Sequence, residues 1–373
     1  MCIRKVEKMP QEKKLKYYDL MEELRAKILG GDIRPGDKLP SENELTKQSG
    51  VSRQTVRKAL EILQEEGLVY AEHGRGTYCS HMLPHTGKTH NIAVITTYLT
   101  DYLFPRVVQG IDRVMTENGY SIILKNTRNS RAMEAKYLEE LLQKNVDGLI
   151  IEPSKSQIFC RHLNLYELLD KYHIPYVFIQ GWYSHLEDKP QILMDDRKGG
   201  YMITNYLISH GYRNIVGVFK ADDIQGQERH KGYIQALQDA GIIYDPDKVI
   251  WFYTEDRKSH PYDIIREMAK NRASKYFDSV VAYNDQTALY ILQALEAEGI
   301  KCPDDVALTG FDNSSLAETC MVPLTTIAHP QEKLGSMAAK LLLKLMNGES
   351  MEGNNRIMIE PEIVERDSVG WLK

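Results

Sequence analysis

At 373 residues the chain is too long for one small domain and ample for two or three. Hydrophobic content of 42% with 27% charged residues describes a soluble globular protein, and a net charge of −5 argues against indiscriminate nucleic-acid binding. The charge is uneven: 15 basic and 13 acidic residues precede residue 81, leaving 32 and 39 after it, so any contact with nucleic acid rests on a few placed cations.

Cys2, Cys79, Cys160, Cys302 and Cys320 show neither paired short spacing nor a histidine cluster. They read as free thiols in a reducing compartment, without disulfides or a metal site. The start of the chain lacks the apolar run of a signal peptide, and no stretch approaches the roughly 20 apolar residues that span a bilayer. A cytoplasmic protein with no membrane partner is expected.

Ser41, with Glu44 three residues on, predicts a capping box opening a short helix in which Leu45 faces inward. Gly50 turns the chain, and Ser52 caps a second helix. Its Val56, Ala59, Leu60 and Leu63 fall on one side, while Arg53, Gln54, Arg57 and Lys58 fall on the other. Gly67 ends it; Leu68-Val69-Tyr70 and Thr77-Tyr78 then read as strands flanking the tip His73-Gly74-Arg75-Gly76, a wing.

Guanidinium groups bind guanine edges and phosphates in a fork, so Arg53 and Arg57, one turn apart, suit two neighbouring positions in a major groove, with Gln54 reading adenine. Glycines beside Arg75 allow close backbone approach, which suits an arginine in a minor groove or along a phosphate run. Glu42 either orients an arginine or accepts from a cytosine amino group; the plain alternative is a solvated first-turn carboxylate favoured by the helix dipole.

Tyr17, Ile28 to Leu39 (ILGGDIRPGDKL), Pro40 to Leu45 (PSENEL), Val51 to Arg57 (VSRQTVR) and Gly74 to Thr77 (GRGT) together resemble the DNA-binding domain of the GntR family. The resemblance spans roughly residues 14–80 and implies a winged helix-turn-helix domain of α+β class over residues 11–80. It places Glu42, Arg53, Arg57, His73 and Arg75 on DNA, beside Gln54, Thr55 and Lys58 of the same helix, with Lys16 as a phosphate contact. Double-stranded operator DNA is the implied partner.

Residues 81–90 follow in a segment with Pro, Gly and three histidines but no apolar periodicity, and read as a flexible linker. From Asn91 onward short apolar runs alternate with amphipathic segments. Ile92 to Ile95 precedes Pro105 to Asn118, Ser121 to Leu124 precedes Ala132 to Lys144, and Gly148 to Ile151 precedes Tyr166 to Tyr172. The alternation continues with Tyr176 to Ile179, Gly200 to His210, Ile215 to Phe219, His230 to Ala240, Val249 to Tyr253, Tyr262 to Asn271, Ser279 to Ala282, Gln286 to Glu298 and Val306 to Thr309. Such βαβ repetition demands parallel sheets wrapped by helices, here an α/β domain of two lobes over residues 91–373.

In open α/β sheets ligands sit beyond the carboxyl ends of the strands. Glu152, Gln180, Asn284-Asp285 and Asp312 each follow an apolar run closely. Carboxylates accept from vicinal hydroxyls, an arginine donates in a fork, and aromatic faces cover the C–H side of a sugar ring; Glu152, Asp312, Arg229, Phe104 and Tyr253 supply that set. Asp285 has a second reading, as the cap of the following helix.

This region resembles the effector domain of LacI/GalR-type repressors and the periplasmic sugar-binding proteins. The carrying segments are Val146 to Ile150, Asp195 to Gly211, Glu228-Arg229 with Gly232-Tyr233, Tyr283 to Ala288, Pro303 to Asn313, Pro323 to Ala328 and Pro361 to Arg366. The resemblance maps pocket positions onto Phe104, Glu152, Arg229, Asn284, Asp312 and His329, the last standing where a glutamine is usual. A GntR-type head on a LacI-type effector domain is uncommon and resembles the arabinose-responsive repressors of Bacillus-like bacteria. That resemblance implies L-arabinose as effector and release of operators on binding it; half-site spacing, a geometric demand on a pair of DNA heads, predicts a homodimer through the effector domains. Another monosaccharide or a purine as ligand is the alternative. An enzyme is not expected, since no Gly-x-Ser-x-Gly elbow, P-loop or dinucleotide fingerprint stands in its required context. A transport component would need a signal peptide and would carry no DNA-binding head.

Overall fold

The computed structural model describes residues 16–29, 32–72, 74–80, 88–99, 104–144, 146–271, 277–349 and 355–372. Cys2, His73 and most of the expected linker, residues 81–87, lie outside the described residues. Two compact units form: residues up to Thr89 with Glu139–Asn145, and His90–Leu138 with Val146–Lys373.

The first unit contains α1 (Lys16–Leu29), α2 (Glu42–Ser49), α3 (Arg53–Glu65), β1 (Val69–Glu72) and β2 (Gly76–Cys79). The expected capping box is present: the Glu44 N–H donates to Ser41 Oγ at 3.3 Å, and the Ser41 N–H to Glu44 Oε2 at 2.7 Å. Gly50 closes α2 at φ +66°, and Ser52 Oγ accepts the Thr55 N–H at 3.2 Å to open α3. Leu20, Met21, Leu24, Leu45, Val56, Ala59, Leu60 and Leu63 are buried, so three amphipathic helices turn their apolar stripes inward. β1 and β2 pair antiparallel with Tyr70 opposite Tyr78, and the wing extends further along both strands than the apolar residues indicated.

The chain after the head opens with β3 (Asn91–Thr96), α4 (Phe104–Glu117), β4 (Ser121–Asn126), α5 (Arg131–Lys144), β5 (Gly148–Ile151), α6 (Leu163–Lys171), β6 (Tyr176–Ile179) and β7 (Gln191–Met194). It continues through α7 (Asp196–Ser209), β8 (Ile215–Lys220), α8 (Ile224–Asp239), β9 (Val249–Phe252), α9 (His260–Lys270), β10 (Ser279–Ala282), α10 (Asp285–Ala297) and β11 (Ala307–Thr309). α11 (Ser315–Thr319), β12 (Thr326–Ala328), α12 (Gln331–Met346), β13 (Arg356–Ile359) and β14 (Glu362–Val364) complete it.

One lobe is a six-stranded parallel sheet in the order β13-β7-β6-β5-β3-β4. The other is a four-stranded parallel sheet, β11-β10-β8-β9, beside the antiparallel pair β12–β14. Ile92, Val94, Ile150, Val177 and Ile192 of the first sheet pack with Leu334, Ala338 and Leu342 of α12 in one core. Cores on the second lobe gather Val216, Val218 and Val280 with α9 and α10, and Phe219 and Val281 with α7 and α8. The chain therefore crosses between lobes three times: between β7 and α7, between β12 and α12, and between β13 and β14.

α7 and α8 begin earlier than expected because their first turns carry glycines, which weaken the helical signal. The glycines have a packing reason. A Cβ on Gly200 would lie 2.2 Å from the Arg229 carbonyl oxygen, and one on Gly232 would lie 2.0 Å from that of Arg197. These two helices meet backbone to backbone, which fixes where α8 carries Arg229.

Candidate DNA-binding face and ligand cavity

On the head, Arg53, Gln54, Arg57 and Lys58 are exposed on α3, as their phase opposite Val56 and Leu63 requires. Glu42, at the start of α2, holds both arginines: Arg53 Nε donates to Oε2 at 2.8 Å, and Arg57 Nε lies 3.0 Å from each carboxylate oxygen. Hydrogen bonds from the two guanidinium groups lower its pKa below the usual glutamate value. Of the readings left open by the sequence, Glu42 thus has the geometry of an arginine orienter. The guanidinium side chains remain 60% and 58% exposed, with donors left over for an anionic surface.

Thr55 is engaged in the α3 cap, its Oγ1 2.8 Å from Ser52 Oγ, and Lys58 stands 3.6 Å from Glu61. Lys16 is exposed at the start of α1. Arg75 is 76% exposed at the wing tip, with Glu72 at 3.4 Å, and is flanked by Gly74 at φ +74° and Gly76 at φ +122°, conformations that a Cβ would oppose.

In the second unit a cavity of about 80 Å³ lies beyond the carboxyl ends of the strands of both lobes. Its lining includes six of the eight expected residues: Phe104, Glu152, Gln180, Arg229, Asn284 and Asp312. Arg229 is buried at its centre. Nε donates to Asp196 Oδ1 at 2.8 Å and Nη1 to the Tyr283 carbonyl at 2.6 Å, while Nη2 stands 3.7 Å from Asp312 Oδ1. The guanidinium plane covers the Phe311 ring, 3.5 Å from its centroid. Burial works against this charge, but Asp196 and Asp312 outweigh it and raise the pKa.

Glu152 accepts from the Thr97 N–H at 2.8 Å and Thr96 Oγ1 at 3.1 Å. Burial pushes its pKa up, Thr97 pulls the other way, and the nearby Asp223 adds to the rise. Asn284 is the true cap of α10, its Oδ1 accepting the Thr287 N–H at 2.9 Å. Asp285 does other work: it accepts from the Ser314 N–H and Thr326 Oγ1, both at 2.7 Å, and so joins β12 to the loop after β11.

Gln180 and Asp312 take left-handed backbone conformations, φ +61° and +102°. Non-glycine residues held there carry about 1–3 kcal/mol of strain, which packing around a binding site sustains. Gln180 is buried, and its Nε2 meets no partner among the described residues. A buried donor of that kind is satisfied by something entering the cavity.

Two expected residues stand elsewhere. Tyr253 is 50% exposed, because it follows the edge strand β9 rather than a central one. His329 is buried in the second crossover and lines a different cavity, between α4 and α12. Five lining residues escaped the sequence reading: Thr97, Tyr98, Asp223, Gln225 and Tyr283. Four of them, all but Gln225, stand within three residues of the ends of β3, β8 or β10, so the strand-end rule that found Glu152 also pointed to them.

The lobes are bridged beside this cavity. Asn129 Nδ2 donates to Asp223 Oδ1 at 3.1 Å and Thr254 Oγ1 at 2.7 Å, Lys155 pairs with Glu255, and the Ile224 N–H reaches Ser156 Oγ at 3.0 Å. Among the described residues no cluster of three or more metal-ligating side chains forms, and no helix is long and apolar enough to cross a membrane.

A winged helix-turn-helix head and a two-lobed binding domain in one chain define a ligand-responsive, DNA-binding regulator. Residues 16–79 match the model of the bacterial regulatory proteins of the gntR family, and residues 204–369 that of the periplasmic binding protein-like domain. The arabinose metabolism transcriptional repressor of Halalkalibacterium halodurans is 39% identical over 96% of this chain and 97% of its own length; that of Geobacillus stearothermophilus is 36% identical over 95% and 97%. A LacI family transcriptional regulator from Enterococcus faecium, solved with bound ribose, superposes with a TM-score of 0.65 at 28% identity, over 76% of this chain and all of its own. The chain belongs to the family of arabinose metabolism transcriptional repressors. It is a transcriptional repressor and not an enzyme.

Proposed function

We propose that the protein, as a homodimer, holds operators of arabinose-utilisation genes and leaves them when L-arabinose occupies the cavity around Arg229. The observation that carries this reading is the cavity's donor and acceptor set. Gln180 Nε2 is a buried donor without a partner among the described residues, Glu152 and Asp312 are acceptors, Arg229 is a fixed cation, and Phe104 and Tyr98 offer aromatic faces. That is the chemistry of a small polyol with hydroxyls around its rim and C–H bonds on its faces. The cavity's about 80 Å³ favours a monosaccharide over larger ligands, whose sites usually measure ~300 Å³ or more. The relatives named for arabinose metabolism and the ribose-bound neighbour support the same class.

Two heads reading half-sites require a pair of chains whose spacing a closing domain can alter. Sugar must then bind the DNA-free geometry more tightly, with a coupling of about 1–3 kcal/mol, and the operator must weaken sugar binding by the same factor. The test is operator affinity at increasing arabinose together with arabinose affinity with and without operator DNA. Equal sugar affinities in the two states refute allosteric release even if both ligands bind.

A further inference from the structure

A second cavity, of about 890 Å³, lies between α4 and the start of α12. Arg106 and Arg113 enter it from α4, Lys333 and Lys340 from α12, and the lining residue Glu332 is the only acidic one. Arg113 is held by Glu332 Oε1 at 2.6 Å and Ser336 Oγ at 3.1 Å, whereas Arg106, Lys333 and Lys340 are exposed along the walls. This cation-rich patch stands on the part of the chain that is acidic overall. α12, 16 residues long, begins with its positive dipole end at the same place.

His329 is the observation that makes this a site. It is 7% exposed, lines the cavity, and meets a hydrogen-bond partner at neither ring nitrogen among the described residues. An imidazole so placed has one N–H to give and one lone pair to fill, a buried deficit that a bound molecule repairs. Its burial, reinforced by Arg229, holds the ring neutral, so it recognises a ligand by hydrogen bonding while the surrounding cations meet the charge. His329 also belongs to the second crossover, and its N–H faces the Asp312 carbonyl at 3.4 Å, which connects this cavity to the one around Arg229.

We propose that the cavity between α4 and α12 is a second ligand site, for a phosphate monoester, and that its occupation biases the second crossover. The helix terminus and cations take the phosphate, and His329 meets a hydroxyl of the organic part. Its influence on arabinose affinity rests on the function proposed above; its own binding does not.

The experiment titrates the full-length protein with ribose 5-phosphate, inorganic phosphate and ribose, using calorimetry. Saturable binding of the ester is expected, weaker for inorganic phosphate and absent for ribose at this site. Arg106→Glu with Lys340→Glu, both at exposed positions, should weaken the ester at least ~10-fold. His329→Phe should also weaken it and leave inorganic phosphate unchanged. Arabinose affinity should shift about five-fold or more when the ester is present, and not in the doubly reversed variant. No ester binding, equal binding of ester and inorganic phosphate, or an unchanged charge-reversed variant overturns the site. An unchanged arabinose affinity overturns the coupling, and ester binding without any arabinose binding faults the sugar reading while leaving this site standing.

Discussion

Arg229 donates to Asp196 at 2.8 Å, and Asp196 is the first residue of α7, directly after the first crossover between the lobes. The cation of the ligand cavity is thus anchored to the first segment that joins the two lobes. Arg229→Ala is therefore expected to do two things: weaken sugar binding, and leave Asp196 as an unpaired buried carboxylate at a cost of about 3–5 kcal/mol in folding stability. Urea unfolding separates the two. Wild-type stability in this variant contradicts the anchoring role, and wild-type sugar affinity contradicts the cavity assignment.

Gln180→Asn is the cleaner probe of the cavity. Asparagine tolerates the left-handed backbone at this position but shortens the donor, so folding should hold while arabinose affinity falls by about 1–3 kcal/mol. Titration of the folded variant checks this, and an undiminished affinity removes Gln180 from the site.

On the head, Arg53→Ala and Arg57→Ala should each cost about 1–3 kcal/mol of operator affinity and relax base preference. Lys16→Ala should weaken all sequences alike and flatten the salt slope by about one. Glu42→Gln should loosen both arginines without removing a contact to DNA, lowering discrimination more than affinity. Binding to operator and scrambled duplexes over a salt series distinguishes these outcomes; unchanged specificity in both arginine variants shows that this face reads no bases.

Gly200→Ala places a methyl group against the Arg229 backbone, where a Cβ has only 2.2 Å. The helices must part, and overpacking of this kind costs about 1–3 kcal/mol. A lowered denaturation midpoint with reduced sugar affinity is expected, since the same shift moves Arg229. Full stability in this variant means that α7 and α8 are less tightly apposed.

His329 is depressed from 6.5 to about 3 by burial, with the Arg229 charge adding to the effect. The unfolded chain takes up this proton near pH 6.5 and the folded chain does not, so the contribution to stability is complete above that pH and is lost as pH falls toward 3. At pH 5 the loss is about 2 kcal/mol, at ~1.4 kcal/mol per unit. The urea midpoint of the wild type should drop further between about pH 7 and pH 5 than that of His329→Gln. Equal drops exclude a neutral buried imidazole.

The head was legible nearly residue by residue because its signals are local: Ser41 with Glu44, Gly50, Ser52, and the glycines of the wing each act within a few positions. The central strands were equally plain, since burial on both faces leaves unbroken runs such as Gly148 to Ile151. β7, β12, β13 and β14 were not read. They are three or four residues long, and their partners lie far away in sequence, as with Ile357 beside Ile192. The cavity divided along the same line. Strand ends gave Glu152, Gln180 and Asp312, but the identity of the aromatic faces depended on which strands are central. Tyr98 follows central β3, whereas Tyr253 follows an edge. His329 was misplaced because the turn into α12, which decides the cavity it enters, leaves no periodic trace.

The threefold crossing also sets an order on synthesis. β13 closes one side of the first sheet, and α12 covers the core beneath it, yet both are translated after all of the second lobe except β14 and the residues beyond it. Until they emerge, a nascent chain carries an unfinished first lobe, with the β7 edge unpaired and the apolar faces of Ile92, Val94 and Ile150 uncovered by Leu334 and Leu342. Vectorial domain-by-domain folding on the ribosome is closed to this unit. A ribosome stalled before residue 331 should hold a protease-sensitive, chaperone-binding chain, even though all but the last few strands have already been made.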